Sequence, residues 1–463
     1  MKTFSIHTLG CKVNQYESRQ LRQYLEQAGL VASSPDGCAD MVVVNTCCVT
    51  HIASAKSRQS IRRALGKNPD AVLIVTGCLP IGQGQELSDL DEKCLIVKDK
   101  DHLPVLLKRI LARHNQSGSL NATNKPPNCC KIKDKTENSR QIVAASRQAV
   151  PLGNDKTAHP AQSETLPLLN SYDGQSRAFL KVQDGCDAYC TYCIIPKIRT
   201  KVCSKDVKNI LLEAQNLIEA GHQEIVLTGI FLGAYGQSTS RRKHWDPALR
   251  DSLAEMAAHV AELPGLGRLR LSSLEPADVT DRLLEVFQTH SNIAPHLHLP
   301  LQSGSAKILK KMARQYTIDQ FLDVISRVRA ALDRPAITTD IIVGFPGETE
   351  DDFQQTLDVC RQAEFSKIHV FSFSPRKNTP AAEFEPKVPV LVIRQRSSRL
   401  HALDQTLQDE FRRKFIGQPV EVIVESTRPP KGRCERYFMV DLSGLPNAGT
   451  LQKGQRVRMI LNK

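Results

Sequence analysis

The sequence predicts an α/β protein in three parts: an amino-terminal domain on a parallel sheet, a six-stranded α/β domain that is either a partial (βα)6 barrel or an open sheet, and a small carboxyl-terminal antiparallel β-barrel. Three observations carry this. Continuous apolar runs at 41–45 (MVVVN) and 71–76 (AVLIVT) alternate with helical stretches, the pattern of strands buried on both faces. The alternation resumes, for longer, from Ala178 to Val370. The last 47 residues change to short alternating runs split by Pro, Gly and Asn. A chain of 463 residues exceeds one ordinary domain.

Taken in order, Phe4 to Leu9 is a short apolar strand, and Glu17 to Gly29 has helical periodicity ending at glycine. Ala53 to Leu65 reads as a basic helix between the second and third strands. These elements make a domain over residues 1–113. Residues 114–176 are rich in Asn, Ser, Thr, Lys, Gln and Pro, contain no Phe or Trp, and read as a linker or insertion. Cys129 and Cys130 within it read as incidental.

The second domain, 177–414, offers six strands: AFLKV, EIVLTG, LRLSSL, HLHLP, AITTDIIVGF and IHVFSFS. Helices are expected over Val207–Ala220, Ala306–Met312, Ile318–Leu332 and Glu350–Ala363. A complete eight-fold barrel needs about 250 residues, so a partial barrel or open sheet fits better. Val390 to Phe415 reads as an exposed basic helix. The final domain, 415–463, carries PVEVIVES, RYFMVDL and QRVRMIL, and from Gly417 onward it has eight Lys/Arg against four Asp/Glu.

Composition narrows the function. Hydrophobic residues at 41% and charged residues at 24% are globular proportions. No stretch approaches the ~18–20 apolar residues of a membrane span. The start, MKTFSIHTLGCK, lacks a signal peptide's basic and apolar regions. A cytoplasmic protein without a membrane is expected. There a disulfide framework gains little, so several of the fourteen cysteines are expected to bind metal or react. The net charge of +13 suits a polyanionic partner, nucleic acid first.

Cys186, Cys190 and Cys193 form a C-x3-C-x2-C array, CDAYCTYC, just after a strand. Three thiolates on one tight loop suit an iron–sulfur cube whose fourth iron stays open for a ligand. Structural zinc with Cys203 as fourth ligand is the alternative, since zinc prefers closed four-coordinate sites. Cys11, Cys47 and Cys78 end TLGC, VVVNTC and IVTGC, each immediately after an amino-terminal strand. The carboxyl ends of parallel strands line one edge, so these thiols, thirty-odd residues apart, can converge. Cys38, Cys48 and Cys94 lack that placement and read as ordinary thiols.

CDAYCTYC resembles the radical S-adenosylmethionine (SAM) signature. With TLGCKVNQYES, VVVNTCCVT and IVTGC, the chain resembles the methylthiotransferases, and TLGCKVNQYES with AKSRQSIRRA is most similar to the bacterial subgroup modifying threonylcarbamoyladenosine in tRNA. LRLSSLEP, HLHLPLQSGS and TTDIIVGFPGETEDDF continue the match, and the last domain resembles the TRAM RNA-binding module. The resemblance covers the chain except about 114–176.

The resemblance implies two 4Fe-4S clusters and SAM as cofactors. Cys186, Cys190 and Cys193 would hold the cluster whose open iron chelates SAM; Cys11, Cys47 and Cys78 would hold an auxiliary cluster that carries or supplies sulfur. One SAM would methylate that sulfur. A second would give the radical that abstracts hydrogen from adenine C2 at position 37, next to the anticodon. Such a bond lies beyond side-chain acid–base chemistry, so no catalytic side chain is nominated. The implied partners are tRNA, an electron donor such as flavodoxin or ferredoxin, and a sulfur donor.

Cofactor-binding candidates are Thr228 and Gly229 at a strand end, Ser273, Glu275 and Gln302 facing the presumed cavity, and Asp340 before a glycine turn. His296 and His298 alternate on one strand and share a face, suiting core or hydrogen-bonding roles. Where the family has Arg-x-Gly-Thr-Pro this chain has Asn378 for glycine, and Asn tolerates left-handed backbone next best. RNA contact is expected from Lys56–Lys67 and, more strongly, from Arg428, Lys431, Arg433, Arg436 and Tyr437. Other readings are an isopentenyladenosine or ribosomal-protein substrate, and a zinc-stabilised RNA-binding protein without catalysis.

Overall fold

The computed structural model describes residues 1–34, 37–82, 87, 94–117, 166–172 and 174–462. Cys129 and Cys130, with most of the expected linker, lie outside them. The chain divides into two compact units, Met1–Leu168 and Leu169–Lys463.

The first unit is a five-stranded sheet in the order β2-β1-β3-β4-β5: β1 Thr3–Thr8, β2 Val31–Ala32, β3 Met41–Thr46, β4 Val72–Gly77 and β5 Leu95–Ile96. Every pairing is parallel. β3 and β4 are buried along their whole length, which is why they read as unbroken apolar runs rather than alternating ones. The helices are α1 Lys12–Gln27, α2 His51–Lys67, α3 Cys78–Gly82 and α4 Leu103–Ser117. α4 runs past the expected domain end at 113. α1 buries Val13, Tyr16, Leu21 and Leu25; its Leu21 and Leu25 join a core with Phe4, Val43 and Ile74. α2 starts where Thr50 accepts a hydrogen bond from the Ala53 amide, and it buries only Ser54, Ser57, Ile61 and Ala64. Lys56, Arg62 and Arg63 stay exposed.

The second unit carries two three-stranded parallel sheets. One joins β6 Ala178–Lys181, β9 Glu224–Thr228 and β10 Arg268–Leu271; the other joins β11 His296–His298, β12 Ala336–Val343 and β13 Lys367–Ser372. Parallel bridges Leu269–Ile293 and Ser273–His298 link them into six strands in chain order. A hairpin, β7 Gln183–Asp184 with β8 Cys203–Ser204, lies beyond β6. The helices are α5 Ile195–Ile198, α6 Val207–Glu219, α7 Ser252–Ala261, α8 Asp281–Thr289, α9 Ala306–Lys311, α10 Ile318–Ala331, α11 Glu350–Gln362 and α12 Val390–Arg413. The four expected helices end within a residue of their predicted bounds. Capping boxes from Thr317 with Gln320 and Thr349 with Asp352 start α10 and α11.

α12 departs from expectation. Its basic sequence suggested full exposure, yet Arg396, Leu400, Asp404, Leu407 and Phe411 are buried. Asp404 accepts from the Ile368 amide at 2.7 Å and pairs with Lys367, while Arg396 pairs with Glu348 at 2.8 Å. Buried polar residues made this face look like surface.

The last four strands, β14 Pro419–Thr427, β15 Pro430–Cys434, β16 Met439–Asp441 and β17 Arg456–Ile460, form an antiparallel sheet ordered β16-β15-β14-β17. It fits a small barrel, although no pairing between β16 and β17 closes it among the described residues. β15, absent from the sequence reading, is carried by PKGRC. There Gly432 is needed because a Cβ would sit 2.3 Å from the Ile423 carbonyl oxygen. Val420, Val422, Val424 and Leu461 pack with Phe411 and Phe415, each full burial contributing about 1.5–3 kcal/mol.

Candidate metal and cofactor centre

Gly185 sets the C-x3-C-x2-C loop. Its φ is +78°, and a Cβ would lie 1.9 Å from the Lys201 carbonyl oxygen, so only glycine makes this turn. The Cys186 amide donates to the Arg199 carbonyl at 3.1 Å, and the Cys193 amide to the Cys190 carbonyl at 3.0 Å. Thr191 ties the loop to the end of α9, through its amide to the Met312 carbonyl at 3.1 Å and its hydroxyl to that of Lys311 at 2.8 Å. Asp187 holds the other side by accepting from the Thr239 hydroxyl and the Ser240 amide, both at 2.6 Å. Asp184 anchors Arg199 at 2.6 Å.

Cys186, Cys190 and Cys193 line one cavity of about 160 Å³ with Ser273, Glu275 and Gln302, three of the six cofactor-binding candidates. Ile230, Phe231, Leu232 and Leu274 complete its apolar wall. Thr228 and Gly229 stand one step back. The Thr228 carbonyl accepts from the Val182 amide, and Gly229 lets the following loop close on Gln183, whose side chain a Cβ would meet at 3.0 Å. Asp340 is placed elsewhere, beside His298 and His369, and does not line this cavity. Cys203 sits opposite Asp184 on the hairpin and is not in the lining either, so a closed zinc site with Cys203 gains no support.

The residue that sequence reasoning missed is Arg314. Its guanidinium lies 3.2 Å from the Cys190 sulfur, 2.6 Å from a Glu275 oxygen and 3.4 Å from the Tyr192 hydroxyl. Burial works against its charge, but Glu275, Tyr316, Tyr192 and Cys190 outweigh burial and hold its pKa well above the ordinary value. Arg242 supports the same carboxylate, reaching Asp278 at 2.7 Å and Glu275 at 3.5 Å. Burial pushes the bare Cys186 thiol up to about 11 and Cys193 up to about 12, so a bound metal has to displace their protons. A soft cation, three convergent sulfurs and a buried guanidinium to offset thiolate charge fit one another. The donor set suits an iron–sulfur cube.

The first unit brings its three cysteines to one sheet edge by register. Thr8 pairs with Asn45, Asn45 with Thr76 and Thr46 with Gly77, so Cys11, Cys47 and Cys78 follow at adjacent strand ends. Two glycines make the approach possible. A Cβ on Gly10 (φ +106°) would lie 2.8 Å from Cys47 Cβ, and one on Gly77 (φ +96°) would lie 2.4 Å from the Thr46 carbonyl oxygen. Asn14 fastens the edge by donating to the carbonyls of Leu9 and Thr46 at 2.8 and 2.9 Å. Ser57 brackets Cys47, accepting from its amide at 3.1 Å and donating to its carbonyl at 2.9 Å. Cys11 is exposed at the N-cap of the 16-residue α1, whereas Cys47 and Cys78 are buried. This set also fits a cluster held by three ligands.

Two family profiles match, "Uncharacterized protein family UPF0004" over residues 3–98 and "Radical SAM superfamily" over residues 180–360. A Bacillus subtilis (strain 168) protein called "Threonylcarbamoyladenosine tRNA methylthiotransferase MtaB" is 36% identical over 92% of this chain and 85% of its own. The chain belongs to the radical SAM methylthiotransferase family. A Thermotoga maritima relative with the same description is 34% identical over 92% of this chain and 87% of its own. A Rhodococcus jostii (strain RHA1) relative described as "tRNA-2-methylthio-N(6)-dimethylallyladenosine synthase" is 35% identical, with 100% and 86% coverage. Among solved structures, the radical SAM methyltransferase TsrM from Kitasatospora setae shares the fold, with a TM-score of 0.54 at 13% identity over 82% of this chain and 77% of that one. A radical SAM methylthiotransferase carries a SAM-binding 4Fe-4S cluster and a second iron–sulfur cluster.

The basic candidates divide. Arg433 pairs with Glu425 at 3.0 Å and donates to the Tyr437 carbonyl, while Arg436 pairs with Glu435 at 2.7 Å and reaches the Asp333 and Arg334 carbonyls. Tyr437 stacks on His296 at 4.3 Å between ring centres. Arg436 and Tyr437 fasten the last sheet to the six-stranded domain, while Arg433 is held within the sheet itself. Arg428 and Lys431 remain exposed. No helix among the described residues is long and apolar enough to cross a membrane.

Proposed function

We propose that this protein adds a methylthio group to C2 of N6-threonylcarbamoyladenosine at position 37 of tRNA. The carrying observation is the pair of cysteine triads, each at strand ends and each fitted by its surroundings for a three-ligand cluster. When bound, the two clusters and SAM supply the hydrogen abstraction and the sulfur. Cys186, Cys190 and Cys193 hold the SAM-binding cluster, and Cys11, Cys47 and Cys78 hold the auxiliary one. Arg314 orients Cys190 and Glu275. Ser273, Glu275 and Gln302 offer hydrogen-bonding atoms to SAM, while Phe231, Leu232 and Leu274 exclude water.

The threonylcarbamoyl substrate rests on the descriptions of the Bacillus and Thermotoga relatives, and dimethylallyladenosine, as in the Rhodococcus description, is the competing substrate. The exposed basic face of α2, with Arg428 and Lys431, serves tRNA phosphate contact; the last sheet acts as a TRAM-like module. A flavodoxin or ferredoxin supplies electrons, a separate donor supplies sulfur, and the reaction takes place in the cytoplasm. Cluster-loaded protein offered two tRNAs, one with each N6 substituent, tests the reading. Methylthiolation of the threonylcarbamoyl tRNA supports it, and reaction with dimethylallyladenosine alone overturns it.

A further inference from the structure

We propose that His298, Asp340 and His369 form a binding site for one divalent transition-metal cation, of the class served by imidazole and carboxylate ligands, separate from both cysteine triads. The three stand on adjacent parallel strands. His298 on β11 pairs in register with Thr338 on β12, and Asp340, two residues on, pairs with His369 on β13, so all share one face. One ligand atom from each lies within 4.8 Å of the others. His298 Nε2 and an Asp340 oxygen are 3.3 Å apart. Two donors on tetrahedral directions at about 2.0–2.1 Å from a zinc-class ion sit about 3.3 Å apart, so that edge already has metal-site dimensions.

The outer contacts agree. His298 Nδ1 is 2.9 Å from the Thr338 hydroxyl, which fixes the ring and aims Nε2 at Asp340, as a ligating histidine's other nitrogen is normally held. The ring nitrogens of His369 have no hydrogen-bond partner among the described residues. A cavity of about 410 Å³ lined by Thr338 and His369 gives an entry path. Arg433 and Arg436 along it are offset by Glu425 and Glu435, Lys367 is paired with Asp404, and Asp409 also lines it. Two histidines and one carboxylate suit zinc, ferrous iron or manganese rather than calcium.

The test is a Mn2+ titration of full-length, cluster-loaded, oxidised protein under anaerobic conditions, reading the free-ion EPR signal. The oxidised clusters are diamagnetic and leave that signal clear. About one Mn2+ per chain is expected to bind and to be displaced by Zn2+. His369→Ala and Asp340→Asn are each expected to weaken binding at least tenfold, and Cys190→Ala to leave it unchanged. Iron content and thermal midpoint verify each variant's fold, and His369→Gln, closer in size, is the second variant at that position. No Mn2+ binding, or binding unchanged in folded variants, overturns the proposal. So does a raised tRNA KM in variants with unaltered Mn2+ binding, which would make these residues nucleoside contacts.

Discussion

Arg314 places its guanidinium 3.2 Å from the Cys190 sulfur and 2.6 Å from Glu275, joining the cysteine loop to the far wall of its cavity across 124 residues of sequence. The pair sets a positive charge against the sulfur of Cys190, and holds a carboxylate that lines the same cavity.

Removing that guanidinium is expected to lower SAM cleavage by about 10²–10³-fold, the cost typical of losing one preorganised charged donor. Arg314→Lys keeps the charge and loses the fork, so it should recover only part of the rate. Quantifying 5′-deoxyadenosine in single-turnover reactions checks both variants. A rate within threefold of the parent for Arg314→Ala would dismiss the role.

Each triad should be removable alone. Cys190→Ala is expected to abolish 5′-deoxyadenosine formation and to lower iron from about eight to about four per chain, two cubane clusters becoming one. Iron and sulfide analysis after anaerobic reconstitution reads this directly. A colourless parent protein that binds zinc tightly would instead favour a non-catalytic RNA binder.

The auxiliary edge should fail through its glycine. Gly77→Val puts a branched Cβ where 2.4 Å separates it from the Thr46 carbonyl oxygen, in a left-handed conformation that β-branched residues avoid. The expected outcome is about four irons per chain, with SAM cleavage kept and methylthio transfer lost. An intact second cluster in this variant would mean that the sheet edge is not its seat.

Glu224 sets an acid limit on the second unit. It is fully buried, yet Arg270 at 2.9 Å and Arg268 at 3.1 Å, with Arg177, overcome burial and hold its pKa down to about 2. Arg270 continues to the Cys434 and Glu435 carbonyls and Arg268 to that of Glu421, so this network fastens the last sheet. A lowered carboxylate pKa gives stability that is present above the unfolded value near 4.5 and lost as pH falls towards 2. The contribution is on the order of 3 kcal/mol. Glu224→Gln should flatten the stability profile between pH 4.5 and 2 while lowering stability at pH 7, measurable by urea unfolding across pH. An unchanged acid limb in the variant would show that other carboxylates govern it.

Legibility in the sequence followed the range of each interaction. The cysteines could be read because strand periodicity gives their topological position, and register then aligns them. Asn378 also behaves as read, with φ +69° at the turn where glycine is usual. Arg314 could not be read, because it sits after a short helix with no periodic signal and meets Cys190 only through the fold. Arg433, Arg436 and Tyr437 looked like a nucleic-acid surface since charge and an aromatic ring coincide there. Arg433 is taken up by Glu425 of its own sheet, and Arg436 and Tyr437 meet Asp333 and His296 outside it, so pairing turned a presumed surface into a joint. Asp340 was expected near SAM from its glycine turn, but the β12–β13 register puts it beside His369.

The most direct measurement of the central claim is the mass profile of tRNA nucleosides from cells lacking this protein, compared with the same cells supplied with it or with its Cys190→Ala form. The 2-methylthio derivative of threonylcarbamoyladenosine should vanish, return with the parent protein, and stay absent with the variant, while its unmodified precursor accumulates. An unchanged signal for that nucleoside in the deletion strain would contradict the account.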